Sequence, residues 1–282
     1  MKYYDICIIG SGAGGSPIAY ELSNAGFNVV VLEKGKYYRE EDIFKDELAV
    51  SRRDMYTPML KDEQHVINDF EAGKVKRYVG SEYNWSFWNG SMVGGSSNLM
   101  SGYFHRMKPN DFKLRAKYGK IKGANIVNWV IDYDDLEPYY EKVERVIGVS
   151  GNVTKHKFLE PRSTKNFPFR SLEVNGVTKW FDKACKDLGF ESFATPRAIL
   201  PIGALKRNSC SYSNFCGSYA CATGAKGSAR AALLQKCDAK IITEAFVYKL
   251  DSDQYKITKA HYYDKDLKSH TIEAKIFVVS AQ

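Results

Sequence analysis

The feature that most constrains this chain is a glycine loop, Gly10-Ser11-Gly12-Ala13-Gly14-Gly15, set between an apolar run and a helical pattern. Asp5 to Ile9 is a short strand-type run that ends on Gly10. Residues 14–25 read as a helix, because Ile18, Leu22 and Ala25 recur at three- and four-residue spacing and Gly26 stops the run. Asn28 to Leu32 is a second buried strand, closed by Glu33. Strand, turn, helix and strand within the first 35 residues make a βαβ unit, which implies a parallel sheet. In such a turn Gly10 permits the tight exit from the strand, Gly12 lets the backbone approach a pyrophosphate, and Gly15 lets the helix pack closely on the strand. The helix N-terminus then presents free N–H groups and a partial positive charge to the phosphates. Glu33, 18 residues beyond Gly15, stands where an acid accepts hydrogen bonds from an adenosine ribose. The loop alone does not separate NAD from FAD. A second glycine-rich segment, about 55 residues after Glu33, has no place in an NAD dehydrogenase and favours FAD.

Beyond that unit, Lys34 to about Gly80 is polar and irregular, with a helical stretch around 40–50. Residues 83–103, rich in Gly, Ser, Asn and aromatics, read as a long ordered loop. Asp134 or Asp135 is placed to cap a helix carrying Leu136, Tyr139, Tyr140, Val143, Val146 and Ile147, with Pro138 in its first turn and Gly148 after its end. A helix over about 176–188 carries Val177, Phe181, Ala184 and Leu188, and residues 228–236 form a third. The tail reads as strands, KIITEAFVYKL, YKITKAHYYD, HTIEA and IFVVSA. A strand-rich return after a long excursion implies a nucleotide domain built from separated pieces of chain.

With 44% hydrophobic and 26% charged residues the chain is an ordinary globular sequence, and disorder is not the default. No run of 18 apolar residues occurs, so no membrane-spanning helix is expected, and the N-terminus lacks the pattern of an export signal. The formal charge is +8, but the longest basic cluster, Lys74-Val75-Lys76-Arg77, is too short for a nucleic-acid patch and no nucleic-acid motif accompanies it. A basic surface also suits an anionic substrate. Of the six cysteines, Cys7 sits in the first strand as a small buried hydrophobe, and Cys185 and Cys237 lie singly in helical stretches. Cys210, Cys216 and Cys221 fall within twelve residues of one another.

Residues 85–112 read WSFWNGSMVGGSSNLMSGYFHRMKPNDF. This stretch resembles the signature of the glucose–methanol–choline (GMC) oxidoreductases, with Gly90, Val93, Gly94, Gly95, Ser96, Ser97, Arg106, Asp111 and Phe112 in the matching places. The helix start from Trp129 through Tyr133, Leu136 and Pro138, the Gly224-Ala225-Lys226-Gly-Ser228 element, and the strand Phe277-Val278-Val279-Ser280-Ala281 also resemble family elements, in collinear order. The resemblance implies an α/β fold: a Rossmann-like FAD-binding domain with an inserted helical and loop region, C-terminally truncated. Its parts would be a first FAD-binding segment over 1–115, an inserted helical cap over 116–204, and a cysteine motif with returning strands over 205–282.

By the same resemblance, Gly10, Ser11, Gly12, Ala13, Gly14 and Gly15 would hold the FAD pyrophosphate, and Glu33 with Lys34 the ribose end. Ser91, Gly94, Gly95 and Asn98 would lie against the flavin and its ribityl arm, Val247 would meet the adenine through its backbone, and Ala281 would return to the cofactor. Relatives that attach FAD covalently carry a His where Asn98 stands, so non-covalent FAD is expected; a plain loop hydrogen bonder is the other reading of Asn98. The cysteine group before Gly224-Ala225-Lys226 resembles a gluconate-dehydrogenase-like branch, with Ser213 where a further Cys often sits. Three thiolates there would hold an iron–sulfur cluster, while packed thiols or a disulfide are the alternatives.

The implied activity is oxidation of a CH–OH group in a polyol, sugar or sugar acid such as gluconate, with electrons passing to a cytochrome or quinone. A small signal-bearing subunit and a cytochrome c are the implied partners, with a cytoplasmic location by sequence or a periplasmic one if co-exported. The family's catalytic base is a His paired with His or Asn late in a chain about twice this length. None of His65, His105, His156, His261 and His270 fits that role, so no catalytic residue is assigned. The chain thus reads as an N-terminal portion. An inactive FAD-binding fragment and an NAD-binding oxidoreductase are the competing readings.

Overall fold

The computed structural model describes residues 3–43, 66–71, 74–79, 90–213, 216–217 and 219–281. The helical stretch expected around 40–50 is seen only as a 3-10 turn over Glu40–Asp42; its remainder, His65 and residues 83–89 lie outside the described residues. The elements in chain order are β1 (Tyr3–Ile9), α1 (Gly15–Asn24), β2 (Val29–Leu32), β3 (Val66–Glu71), β4 (Lys74–Val79), α2 (Leu114–Tyr118), α3 (Tyr133–Ile147), α4 (Gly176–Asp187), α5 (Ala229–Ala232), β5 (Lys240–Ile242), β6 (Phe246–Ser252), β7 (Ile257–Tyr263) and β8 (Ser269–Val279). They form two compact units, one of residues 1–100, 214–222 and 228–282, the other of 101–213 and 223–227. The segment 101–115 goes with the second unit rather than the first because Arg106 and Phe112 are buried among that unit's residues.

The first unit is built on a six-stranded sheet of order β5-β2-β1-β8-β7-β6. β5, β2, β1 and β8 run parallel, as the βαβ pattern requires, and β6 and β7 join antiparallel. All four residues of β2 are buried, consistent with a strand covered on both faces. Each such Val or Leu contributes about 1.5–3 kcal/mol of burial. Side-chain alternation sorts the two faces. Ile6, Ile8, Val29 and Val31 cluster with Ala19 of α1, while Cys7, Val30 and Leu32 cluster with Ala260, Tyr262 and Ile272 of β7 and β8. Cys7 is the buried hydrophobe expected, and burial pushes its thiol pKa up to about 12.

The strand-rich tail differs from its sequence pattern in two ways. KIITEAFVYKL is two strands at opposite edges of the sheet, broken at Glu244, whose φ of 53° is left-handed. HTIEA and IFVVSA are one eleven-residue strand, β8. β8 pairs with β7 up to Glu273 and with β1 from Glu273 onward, so one strand serves both the antiparallel and the parallel part.

In the second unit, α3 begins two residues or more earlier than its pattern suggested. Asp132, not Asp134 or Asp135, is the cap: its side chain accepts from the Asp134 and Asp135 N–H groups, and Asp135 accepts from the Asp132 N–H in return. Gly148 ends the helix in the left-handed region at φ 81°. Arg106 binds both oxygens of Glu144 at 2.7 and 3.0 Å and Glu137 at 2.8 Å, and Arg162 also pairs with Glu144. α4 forms as expected, capped by Asn175, yet none of its residues is buried. Capping and local propensity hold it, not packing of its Val177–Phe181–Leu188 stripe.

Candidate functional site

A cleft of about 430 Å³ opens in the first unit at the carboxyl ends of β1, β2 and β8. Ligand sites of open parallel sheets lie at this end of the strands. Its walls are Ile9 to Gly14, Leu32 to Lys34, Gly90, Ser91, Gly95 to Ser97, Ala245 to Val247, Ser280 and Ala281. Four separated pieces of chain therefore meet at the first glycine loop.

The glycines of that loop have distinct reasons. A Cβ on Gly10, whose φ is 94°, would stand 2.7 Å from the Ser280 carbonyl, so glycine is needed for β8 to approach β1. A Cβ on Gly15 would collide with the Gly10 carbonyl, which closes the loop onto α1. Gly12 is the exception: a Cβ there would meet nothing within 4 Å, although Gly12 lines the cleft. Its bareness serves the open space beside it rather than packing. α1 starts with Gly14 as N-cap and no side chain over its first N–H groups, nor any acid in its first turn. The Ser16 N–H donates to the Gly12 carbonyl at 3.0 Å and Pro17 has none, so an anion would be met by the Gly14 and Gly15 N–H groups.

Glu33 is buried and spoken for. Its Oε2 accepts from the Ser11 N–H at 2.9 Å and from the Ser11 hydroxyl at 2.6 Å, and its Oε1 accepts from the Gly35 N–H at 2.8 Å. A carboxylate has about four acceptor positions. Three are filled from within, which leaves one on Oε1 for a ligand hydroxyl. The Ser11 oxygen in turn accepts from the Gly94 N–H at 3.0 Å, tying the second glycine segment to the first.

The second segment is a 3-10 turn over Gly95–Asn98, entered through Gly94 at φ 89°. Gly95 comes close to Gly12: a Cβ on Gly95 would stand 3.1 Å from the Gly12 Cα. The turn is seated on α5, where Ser97 accepts from the Ala229 N–H at 2.9 Å and a Cβ on Gly94 would press on Arg230 at 2.8 Å. Arg230, fully buried, pairs with Glu40 at 2.9 Å. Burial opposes ionisation of Glu40, but the Arg230 charge and the Gln235 hydrogen bond outweigh it and hold its pKa below the ordinary value.

The sequence model of the GMC oxidoreductase family matches residues 8–282. The chain belongs to that family. It is 30% identical over 290 residues to the fructose dehydrogenase large subunit of Gluconobacter japonicus, covering 98% of this chain and 52% of that one. It is 26% identical over 321 residues to the gluconate 2-dehydrogenase flavoprotein of Pantoea cypripedii, covering 100% of this chain and 51% of that one. Among solved structures, a formate oxidase from Aspergillus oryzae shares the fold at a TM-score of 0.60 and 14% identity, over 99% of this chain and 45% of that one. A pyridoxine 4-oxidase from Mesorbium loti does so at 0.56 and 17%, over 98% and 49%. The fold is therefore the Rossmann-like FAD-binding type of this family. The chain spans about half the length of the curated relatives it matches.

Of the residues singled out from this family's pattern, Gly10 to Gly14, Glu33, Lys34, Ser91, Gly95, Val247 and Ala281 line the cleft. Gly15, Gly94 and Asn98 do not; they shape the loops behind it. The Asn98 amide donates to the Val93 and Gly95 carbonyls at 2.9 and 3.0 Å, so it is the loop hydrogen bonder. Ser96, Phe246 and Ser280 were not singled out as site residues. Ser280 was detectable, since Val279 pairs with Ile9 and the next residue must flank Gly10. Phe246 was not, because only the left-handed bend at Glu244, where the chain leaves one edge of the sheet for the other, brings it there.

Cys210, Cys216 and Cys221 correct a further expectation. Among the described residues, no group of three or more His, Cys, Asp or Glu is placed to hold a metal ion. No described helix is long and apolar enough to cross a membrane. No described histidine lines the cleft. His261 is held by Asp251 at 2.6 Å and His270 by Asp264 at 2.7 Å, both on the antiparallel strands.

Proposed function

We propose that this chain is the FAD-holding part of an oxidoreductase that acts on the CH–OH group of a sugar, polyol or sugar acid. The observation that carries the reading is the convergence of the G-x-G-x-x-G loop, Glu33, the Gly95 turn and the Ser280–Ala281 strand end on one cleft. The residues suit a flavin dinucleotide. Gly12 leaves room at the backbone, the start of α1 is uncapped, and Glu33 keeps one acceptor position for a ribose hydroxyl. Gly10 to Gly14 would hold the pyrophosphate, Glu33 and Lys34 the ribose end, and Val247 the adenine through its backbone. Ser91, Gly95 and Ala281 would border the flavin end, with Gly15, Gly94 and Asn98 supporting the loops behind. FAD, when bound, supplies the two-electron acceptor for alcohol oxidation.

Asn98 offers no nucleophile for attachment, so the FAD would be bound non-covalently. The substrate class follows the relatives, whose names give fructose and gluconate as substrates. Their names also mark them as a large subunit and a flavoprotein, which supports a small partner subunit; a cytochrome or quinone is the electron acceptor in this proposal. No base is assigned to this chain, in keeping with a cleft bare of histidine among the described residues.

Titration of the purified chain with FAD tests the core of this reading. Saturable binding with a flavin absorbance spectrum is expected, and no uptake at saturating FAD overturns it. NADH fluorescence titration should show no binding. Dye reduction with gluconate and fructose then separates turnover from FAD binding without turnover, the second reading. Iron analysis addresses the three cysteines, and the proposal expects no stoichiometric iron.

A further inference from the structure

We infer that the segment from Lys113 to Ile131, α2 and the loop after it in the second unit, is a docking surface for an anionic lipid bilayer. Between Asp111 and Asp132 the chain carries Lys113, Arg115, Lys117, Lys120 and Lys122 and no acid. The two bounding acids are turned to backbone work: Asp111 accepts from the Lys108 N–H at 2.7 Å and Asp132 caps α3. The five cations are therefore left as an uncompensated patch, with no ion pair to a described carboxylate.

The same stretch exposes apolar side chains that a purely solvated basic face would not carry. Val130 is fully exposed, and Val127, Tyr118 and Trp129 are 63%, 57% and 53% exposed. The loop is nevertheless built rather than loose. Its base is closed by the Trp129 N–H donating to the Phe112 carbonyl at 2.9 Å and by the Ala116 N–H donating to Asn128 at 2.9 Å. The Trp129 ring meets the buried Phe112 ring edge-on at 5.6 Å, which fixes one side of the indole and leaves the other outward.

Charge complementarity selects the occupant. Cations alternating with aliphatic and aromatic tips match a surface with anionic headgroups above an acyl layer. Tyr118 and Trp129 have ring faces, but a nucleic acid would leave the Ile121, Val127 and Val130 tips in water, and a protein partner would have to offer both acids and an apolar hollow. Each cation near such a surface is worth about fivefold in partitioning, and salt screens the attraction.

The test is flotation of the whole chain with vesicles of phosphatidylglycerol and phosphatidylcholine, against vesicles of phosphatidylcholine alone. Binding to the anionic vesicles only is expected, weakening as salt rises. Replacing Lys117, Lys120 and Lys122 together by Glu should lower partitioning by about 100-fold or more. Val130→Asp should lower it about 10-fold. FAD uptake and circular dichroism should be unchanged in both variants, since neither touches the cleft, so failure here is independent of the FAD reading. Absence of flotation, equal binding to neutral vesicles, or binding indifferent to both variants would overturn the proposal. So would a dimer in light scattering that Val130→Asp dissociates, which would assign the face to a second copy.

Discussion

Gly12 and Gly15 belong to one motif but should fail differently when substituted. Gly12→Ala adds a methyl where no atom lies within 4 Å, so the melting temperature should hold while FAD affinity falls at least tenfold. Gly15→Ala drives a methyl into the Gly10 carbonyl, and thermal denaturation should show the protein itself destabilised by about 1–3 kcal/mol. Equal melting temperatures for the two variants would remove the distinction. Ser11 is the residue the motif hides. Because its hydroxyl binds Glu33 and receives the Gly94 N–H, Ser11→Ala leaves a buried donor unpaired, at about 1–3 kcal/mol. FAD affinity should fall with it, and Ser11→Thr should restore part of both. The glycines and Glu33 were legible because backbone sterics and strand-end position dictate them. Ser11 was read only as a loop residue contacting phosphate; its tie to Gly94 spans 83 residues of sequence and leaves no local pattern.

Among the elements, those with a local reason to exist were readable. α3 has its cap, its apolar spacing and its terminal glycine within one stretch of chain. Asp132→Ala removes the acceptor for two N–H groups and should cost about 1 kcal/mol in chemical denaturation, whereas Asp134→Ala should be near neutral. The β-strands of the tail were found as strands but wrongly divided. Alternation marks extended chain; it does not say whether two apolar runs lie in line, as in β8, or at opposite edges, as in β5 and β6. α4 shows the converse, an apolar stripe correctly placed on a helix whose residues the described fold leaves unburied.

For the molecule as a whole, two kinds of interaction matter, exposed carboxylate pairs for its response to pH and a buried arginine network for its response to mutation. Lys249 and then His261 hold the Asp251 pKa down to about 2, Lys275 lowers that of Asp5, and His270 lowers that of Asp264. A carboxylate whose folded pKa lies below its unfolded value of about 4 contributes stability above that pH and loses it as the pH falls through the folded value. The melting temperature should therefore be nearly flat above about pH 5 and fall from about pH 4 toward 2, and Asp251→Asn should make the fall shallower. In the second unit, Arg106→Ala would strand Glu144 beside Arg162 and Glu137 without its guanidinium, and urea unfolding should show about 3–5 kcal/mol lost. A loss below about 1 kcal/mol would mean that the network contributes little beyond surface pairing.

What the sequence determined by itself is the βαβ start, the glycine loop with its acid, the family, and the existence of most helices and strands. Each of these rests on spacing within some thirty residues, where backbone sterics, capping and hydrophobic period act directly. The tertiary structure alone decided that Glu33 already spends three of its acceptor positions on its own chain. It also decided that Phe246 completes the cleft, and that the three neighbouring cysteines form no ligand set among the described residues. Those outcomes depend on which distant segments pack together, and a long-range contact is paid for by burial across the whole core rather than by any residue near it in sequence.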